Sequence, residues 1–197
     1  AGIKGIPYIA NITGLGTAIE SDGLVSKISL MLYRLGLKKA SCVYFQNESN
    51  KQYMLNKRVV KDNYRLIPGS GVNLNKYKLL AYPTDNKVLR FGYIARVMYE
   101  KGIEEYITAA ETIRSIYPNC EFHIFGYCEQ GYESRIADLS KKGTIIYHGQ
   151  VDDMVSVYND MHCIVHPSFY PEGLSNVLLE ASASGRPIIT TDKPGCK

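Results

Sequence analysis

Short apolar runs alternate with longer amphipathic segments along most of the chain. The runs are four to eight residues long, and the segments between them carry apolar residues at helical spacing. The runs are almost continuously apolar, which is typical of strands in a parallel sheet that is covered on both faces. The alternation therefore predicts βαβ units and the α/β class.

The predicted strands are residues 7–12, 42–45, 64–68, 88–95, 121–126, 144–149, 163–168 and 187–191. The predicted helices are residues 24–40, 48–59, 103–117, 132–143, 152–160 and 173–185. The polar segment Pro83–Lys87 divides them into two Rossmann-like units, residues 1–82 and 83–197. Both ends of the chain lie close to a strand pattern, so we expect a fragment in which both units are incomplete.

Composition narrows the class of protein. Of the 197 residues 45% are apolar, which allows a substantial core, and the net charge of +4 suits an anionic ligand but does not predict a nucleic-acid partner. The five cysteines are odd in number and show no C-x-x-C spacing, which favours a reducing cytoplasm over a disulfide scaffold or a zinc site. No run is long and apolar enough to span a bilayer.

Ligands of open parallel sheets bind at the carboxyl ends of the strands, so the loops that follow the second unit's strands carry the candidate site. Arg96 and Lys101 follow the strand 88–95 near a predicted helix N-terminus, a combination that suits a phosphate. A solvated surface pair is the alternative. Gly126 and Val151 follow the next two strands and could bring backbone groups to a ligand, although each is equally consistent with an ordinary turn.

The last of these loops carries two acidic residues, Glu172 and Glu180. Glu180 lies among small apolar residues, where a carboxylate requires a partner. Either the two acids face hydroxyl groups of a ligand, or Glu172 caps the helix and Glu180 pairs with a cation such as Arg186. A phosphate would fit the predicted helix N-terminus at Gly173, Leu174, Ser175 and Asn176. Together the loops predict a nucleotide sugar as the ligand.

The E-x7-E formed by Glu172 and Glu180, within HPS-x3-EGLSNVLLEASASGRPIITTD, resembles the retaining glycosyltransferases of family 4, which have the GT-B fold. The stretches GYIARVMYEKGIEEYITA and IPGSGVNLNKY are also similar to that family. The resemblance implies that Arg96 and Lys101 hold the diphosphate and that the backbone of residues 173–176 contacts the β-phosphate and donor sugar. It further implies that Glu172 faces the sugar hydroxyls and that Glu180 binds the ribose diol.

The resemblance also implies transfer with retention of configuration, without a metal or other cofactor, from a nucleotide sugar for which a UDP-sugar is favoured. Neither carboxylate is assigned as a nucleophile. The sequence contains no D-x-D to bind a metal. The TGLG segment resembles enzymes that build bacterial capsule, O-antigen or related polysaccharides, so a glycan or an undecaprenyl-diphosphate-linked acceptor is expected.

Three departures from the family pattern stand out. Thr13 stands about where many members have a histidine, and Asn73 replaces the aspartate of G-x-G-V-D. The glycine-rich loop of the N-terminal lobe is also absent, so we expect the fragment itself to be inactive. Closure of the two lobes, also implied, would bend the chain at residues 80–87.

The segment 24–40 is apolar with basic residues interspersed, and two interpretations are open. A basic amphipathic helix can lie on an anionic membrane, which would place the protein at the inner face of the plasma membrane. Alternatively the apolar face covers the core, which we favour because the flanking strands need covering. Two other functions also remain open, a GT-B phosphorylase or epimerase and a nucleotide-binding regulatory or scaffold module.

Overall fold

The computed structural model describes residues 4–20, 23–84 and 87–196. The chain has an α/β fold with two parallel sheets and divides into two compact units. The first unit takes the described residues up to Gly71, Tyr170–Ser175 and the described residues from Asp192. The second takes Val72–Phe169 and Asn176–Thr191. The boundary predicted at 82/83 stays a prediction, and residues 85 and 86 of the expected hinge lie outside the described residues.

In the first unit three parallel strands lie in the order β1-β2-β3. The strands are β1 (Ile9–Ile12), β2 (Cys42–Phe45) and β3 (Tyr64–Leu66), and the helices are α1 (Thr17–Glu20), α2 (Leu24–Leu37) and α3 (Glu48–Asn56). Val43 and Phe45 of β2 are fully buried with Met54 of α3. The core therefore lies between the sheet and its helices.

In the second unit five parallel strands lie in the order β6-β5-β4-β7-β8. The strands are β4 (Leu89–Ile94), β5 (Cys120–Phe125), β6 (Ile146–Gly149), β7 (Cys163–His166) and β8 (Ile188–Thr190). The helices are α4 (Ile103–Ile116), α5 (Glu133–Lys141), α6 (Met154–Asp160) and α7 (Asn176–Ala183). Alternate residues of β5 enter separate clusters, Phe122 and Ile124 with α4 and α5, and Phe125 with α6 and α7. The sheet is thus covered on both faces, as its apolar strands predicted.

Each predicted strand and helix has a counterpart. The bounds of β2 are as predicted, those of β5 are shifted by one residue and the others are shorter, and two short elements among the described residues were not predicted. These are α1 and a 3-10 helix at Tyr99–Lys101. The sequence indicates Asp152 as the N-cap of the helix after β6, and this prediction is wrong. Asp153 caps α6, since its Oδ1 accepts a hydrogen bond from the Ser156 N–H over 3.3 Å.

Helix α2 is only partly consistent with a core-covering helix. It buries Ser26 and Leu37, whereas Leu24, Leu32 and Leu35 are each more than half exposed. Within the described residues, no helix has both the length and the hydropathy of a membrane-spanning segment.

Candidate active site

The strand order reverses at β4 in the second sheet. From β4 the chain continues to β5 and β6 on one side, then returns to β7 and β8 on the other. Parallel sheets of this kind bind ligands where the order reverses, at the carboxyl ends of the adjacent strands, here β4 and β7. The loops after these two strands therefore define the candidate site.

The two loops are joined by backbone contacts. The Phe169 N–H donates to the Glu100 carbonyl over 3.0 Å, and the Tyr99 and Phe169 rings meet edge to face at 5.2 Å. Gly102 has φ 73°, and a Cβ there would lie 2.2 Å from the Pro167 carbonyl oxygen. Only glycine allows both this conformation and this approach.

Arg96 comes from the loop after β4 and already binds a carboxylate. Its Nη1 lies 2.6 Å from Oε1 of Glu129, and both side chains are about one-third exposed (37% and 36%). The buried Tyr93 hydroxyl donates to the Arg96 carbonyl over 2.9 Å, and burial raises the pKa of Tyr93. Lys101 ends the 3-10 helix of the same loop. Arg96 thus lies at the carboxyl end of β4 in an ion pair with Glu129, and its predicted role in binding a phosphate stays a prediction.

Gly126 follows β5 and permits a close approach, although to protein. With φ 142°, a Cβ there would lie 1.9 Å from the Ala95 carbonyl oxygen. Its N–H donates to the Gly149 carbonyl over 2.7 Å. The glycine therefore lets the ends of β4, β5 and β6 converge.

Val151 lines a cavity of about 530 Å³ beside β5, β6 and α6. His123, Phe125 and His148 also line it with nearly parallel rings, and His123 Nδ1 lies 2.9 Å from His148 Nε2. Burial is the main cause that lowers the pKa of both histidines.

Glu180 lies on α7 and is bound by a tyrosine of α6. The Tyr158 hydroxyl donates to Glu180 Oε2 over 2.9 Å. Burial and the nearby Glu180 charge raise the pKa of Tyr158, so the phenol stays protonated and can donate. No second hydrogen bond to this carboxylate is found among the described residues.

The alternative prediction, that Glu180 pairs with Arg186, is wrong. The buried Arg186 guanidinium donates through Nε to the Tyr158 carbonyl over 2.6 Å and through Nη2 to the Ala81 carbonyl over 2.7 Å. Arg186 thus ties backbone segments together, and Glu180 is left with a neutral donor.

Glu172 and residues 173–175 belong to the first unit, in a segment we call the strap (residues 170–175). Of the residues predicted to form a helix N-terminus, Asn176 begins α7, whereas Gly173, Leu174 and Ser175 precede the helix. The Ser175 N–H donates to the Gly195 carbonyl over 2.9 Å. Gly173 has no room for a side chain, since a Cβ would lie 2.0 Å from the Thr13 carbonyl oxygen.

Asn47 fixes the strap through hydrogen bonds, a role that the sequence did not predict. Its amide nitrogen lies 2.9 Å from the Glu172 carbonyl oxygen and 2.8 Å from that of Gly173, while its Oδ1 accepts from the Asn50 N–H over 2.7 Å. An asparagine just before a helix predicts a helix cap. It does not predict the second role of Asn47, the pair of hydrogen bonds to the strap that we call the clamp. Nothing in the sequence indicated the contacts of Tyr158 and Glu129, because an aromatic residue at helical spacing and an acidic residue in a turn are ordinary features.

Within the described part of the chain, no group of three or more His, Cys, Asp or Glu side chains is arranged to hold a metal ion. The positive groups at the β4 loop are Arg96 and Lys101.

The fold and this site define an α/β protein of the GT-B type, with candidate ligand-binding loops at a strand-order reversal. A family model described as Glycosyl transferases group 1 matches residues 88–197, more than half of the chain. The chain belongs to this family.

Named relatives agree with this class. N,N'-diacetylbacillosaminyl-diphospho-undecaprenol alpha-1,3-N-acetylgalactosaminyltransferase of Campylobacter jejuni is 28% identical over 97% of this chain and 54% of its own length. The capsular polysaccharide biosynthesis glycosyltransferase CapM of Staphylococcus aureus is 26% identical over 84% of this chain and 47% of its own length. The chain thus spans about half the length of these curated relatives.

A crystal structure of Anabaena Alr3699/HepE in complex with UDP-glucose superposes with a TM-score of 0.79. It is 18% identical, and the match covers 98% of this chain and 56% of that one. At this identity the likeness supports the fold alone.

Proposed function

We propose that the chain provides the donor site of a retaining, metal-independent glycosyltransferase of family 4. The enzyme transfers a sugar from a nucleotide sugar, with a UDP-sugar as the favoured donor. The observation that carries the proposal is that the loops after β4 and β7 meet at the strand-order reversal, and that the first of these loops contains Arg96 and Lys101. The protein of Anabaena that shares the fold was crystallised with UDP-glucose.

The main requirement of this chemistry is to stabilise negative charge, because the departing nucleoside diphosphate gains it in the transition state. Two fixed cations can stabilise that charge without a metal. In this proposal Arg96 exchanges Glu129 for the diphosphate, and Lys101 adds a second positive charge. Each such contact contributes roughly 1.5–3 kcal/mol, as for hydrogen bonds to charged groups.

Sugar and ribose hydroxyls require acceptors. Tyr158 orients Glu180 by donating to one of its oxygens, and the carboxylate then accepts from the ribose diol. Glu172 faces the donor sugar, and the backbone of residues 173–176 contacts the β-phosphate and sugar. Gly126 and Val151 line the nucleotide side. Neither carboxylate acts as a nucleophile.

The acceptor is a glycan or an undecaprenyl-diphosphate-linked saccharide of bacterial surface polysaccharide synthesis. The Campylobacter jejuni relative is named for such a lipid-linked acceptor and CapM for capsule synthesis. A lipid-linked acceptor requires the enzyme to work at the inner face of the plasma membrane.

Calorimetric titration of the chain with UDP, GDP and ADP tests the donor site. We expect selective binding of UDP, with at least tenfold weaker binding after Glu180→Ala and no change after Glu111→Ala, an exposed acid on α4. Addition of EDTA leaves the UDP affinity unchanged. Equal binding of all three nucleotides, or equal effects of the two variants, contradicts the proposal and favours a scaffold module.

A further inference from the structure

Helix α2 has apolar residues on two opposite sides. On the inner side Leu30 and Tyr33 pack against the first unit's core, beside the buried Leu37. The outer side exposes six apolar side chains between 45% and 73%. We call these residues the outer stripe: Leu24, Val25, Ile28, Met31, Leu32 and Leu35.

Five members of the outer stripe recur at i, i+4, i+7, i+8 and i+11, which places them on one helix face. The fold of the first unit uses the inner side alone. A second, contiguous apolar face of this extent indicates an interaction surface rather than scattered exposed residues.

The charged side chains of α2 and of the residues that directly follow it have one sign. Residues 24–47 include Lys27, Arg34, Lys38 and Lys39 and no aspartate or glutamate. The first three recur at i, i+7 and i+11 and therefore flank the stripe on one side. An apolar face with a basic flank is typical of helices that lie in the headgroup region of an anionic membrane.

A cavity of about 620 Å³, which we call the cationic cavity, lies at the C-terminal end of α2 and is lined by four basic side chains and one acidic side chain. Among the described residues, no acidic side chain forms an ion pair with Lys38, Arg58 or Lys61. A second cavity of about 400 Å³, lined by Leu32, Tyr33 and Leu37 among others, lies beside the stripe. The charged groups of the larger cavity are Arg34, Lys38, Arg58, Lys61 and Asp62.

Arg58 provides a second observation, because its backbone is unfavourable for arginine. It has φ 53°, the one left-handed conformation outside glycine in the described residues. It follows the C-cap Lys57 of α3, and its N–H donates to the Leu55 carbonyl over 2.9 Å in the turn where glycine is usual. Arg34 Nη2 donates to the Lys57 carbonyl over 2.8 Å. A glycine at this position would favour folding more than an arginine does. The presence of Arg58 therefore indicates that its charge has a function.

We propose that the outer stripe and the cationic cavity form a docking surface for an anionic lipid bilayer. The stripe lies at the level of the headgroups, and the cations of the cavity bind lipid phosphates. The surface also extends the proposed function and rests on it in one respect, because a lipid-linked acceptor lies in the bilayer. The observations that support the surface come from the first unit alone.

Vesicle cosedimentation of the chain tests this proposal. We expect binding to vesicles of phosphatidylglycerol and phosphatidylcholine that weakens with salt, and much weaker binding to phosphatidylcholine alone. Arg58→Gly lowers the affinity about fivefold, the effect of one cation near such a surface, with an unchanged or raised melting temperature. Its control, Lys142→Gly, removes an exposed cation at the end of α5 and leaves binding unchanged.

Leu32→Ser tests the stripe, with Ile116→Ser as its control, since Ile116 is 63% exposed at the end of α4. We expect a loss on the order of tenfold for Leu32→Ser only. Equal effects of variant and control, or no preference for anionic vesicles, overturn the proposal. A dimer in sedimentation velocity that Leu32→Ser dissociates, without vesicle binding, assigns the stripe to a second copy instead.

UDP titration of the same preparation separates the two proposals. Retained UDP binding without vesicle binding overturns the membrane surface alone. Retained vesicle binding without UDP binding supports the surface and contradicts the donor site.

Discussion

The Tyr158 hydroxyl donates a hydrogen bond to Glu180 Oε2 over 2.9 Å and joins α6 to α7. Tyr158 is fully buried, and its ring meets Tyr77 edge to face at 5.9 Å. The tyrosine therefore fixes one oxygen of a half-buried carboxylate without neutralising its charge. In the proposed donor site, a carboxylate held in this way accepts hydrogen bonds from the ribose diol.

Tyr158→Phe tests this orientation. Removing the hydroxyl should weaken UDP binding about threefold to tenfold, because the carboxylate loses a bond of roughly 1 kcal/mol. Calorimetry of UDP and of uracil separates the causes, since uracil has no ribose and its binding should not change. Tyr77→Phe is the matched control, and an equal loss in both variants would indicate a packing effect.

Replacing Glu129 tests the ion pair at Arg96. Glu129→Gln should raise the UDP affinity up to about fivefold, because an exposed ion pair of at most about 1 kcal/mol no longer competes with the diphosphate. Arg96→Gln should lower it at least tenfold. A lower affinity in Glu129→Gln would instead show that Glu129 holds Arg96 in its binding position.

Gly102→Ala tests the junction of the β4 and β7 loops. The added Cβ would lie 2.2 Å from the Pro167 carbonyl oxygen, so we expect a loss of about 3 kcal/mol or more in unfolding free energy. Gly143→Ala is a control with nearly the same φ, 70°, and no atom within 4 Å. It should cost only about 1 kcal/mol. Equal losses in urea unfolding would contradict the close approach.

Asn47→Asp separates the helix cap from the strap. The carboxylate keeps the acceptor for the Asn50 N–H but cannot donate to the Glu172 and Gly173 carbonyls. We expect faster amide hydrogen exchange in residues 170–175 with little change in α3. Asn47→Ala should affect both segments, and unchanged exchange in the strap would contradict the clamp.

Stability should fall as the pH drops from 7.5 to 5.5. Burial lowers the pKa of His123 and His148 below their ordinary value of 6.5, so the unfolded chain binds these protons at a higher pH than the folded chain. Glu121 and Arg90 also face His123, and their effects on its pKa oppose each other. Urea unfolding at both pH values should show a smaller difference in His148→Gln than in the parent chain. An undiminished difference would assign the pH dependence to other groups.

Local patterns determined the class of the fold and the order of its elements. Strands β2 (Cys42–Phe45) and β7 (Cys163–His166) were predictable because their apolar residues are consecutive and turn residues bound them. The placement of Arg96, Lys101 and Gly126 after strands also followed, since parallel strands present their carboxyl ends at one edge.

The tertiary structure decided which residues meet. The partner of Glu180 could not be chosen from the sequence, which suggests the nearby cation Arg186. In the structure Tyr158 donates to Glu180, and Arg186 donates to backbone carbonyls instead. The Ser175 N–H donates to the Gly195 carbonyl, a contact between residues distant in the chain that local patterns do not predict.

Helix α2 shows the same division. Its sequence determined that it is apolar and basic, because these are properties of side chains. Only packing in three dimensions decided which apolar residues enter the core and which form the outer stripe, since a helix with two apolar sides can bury either one.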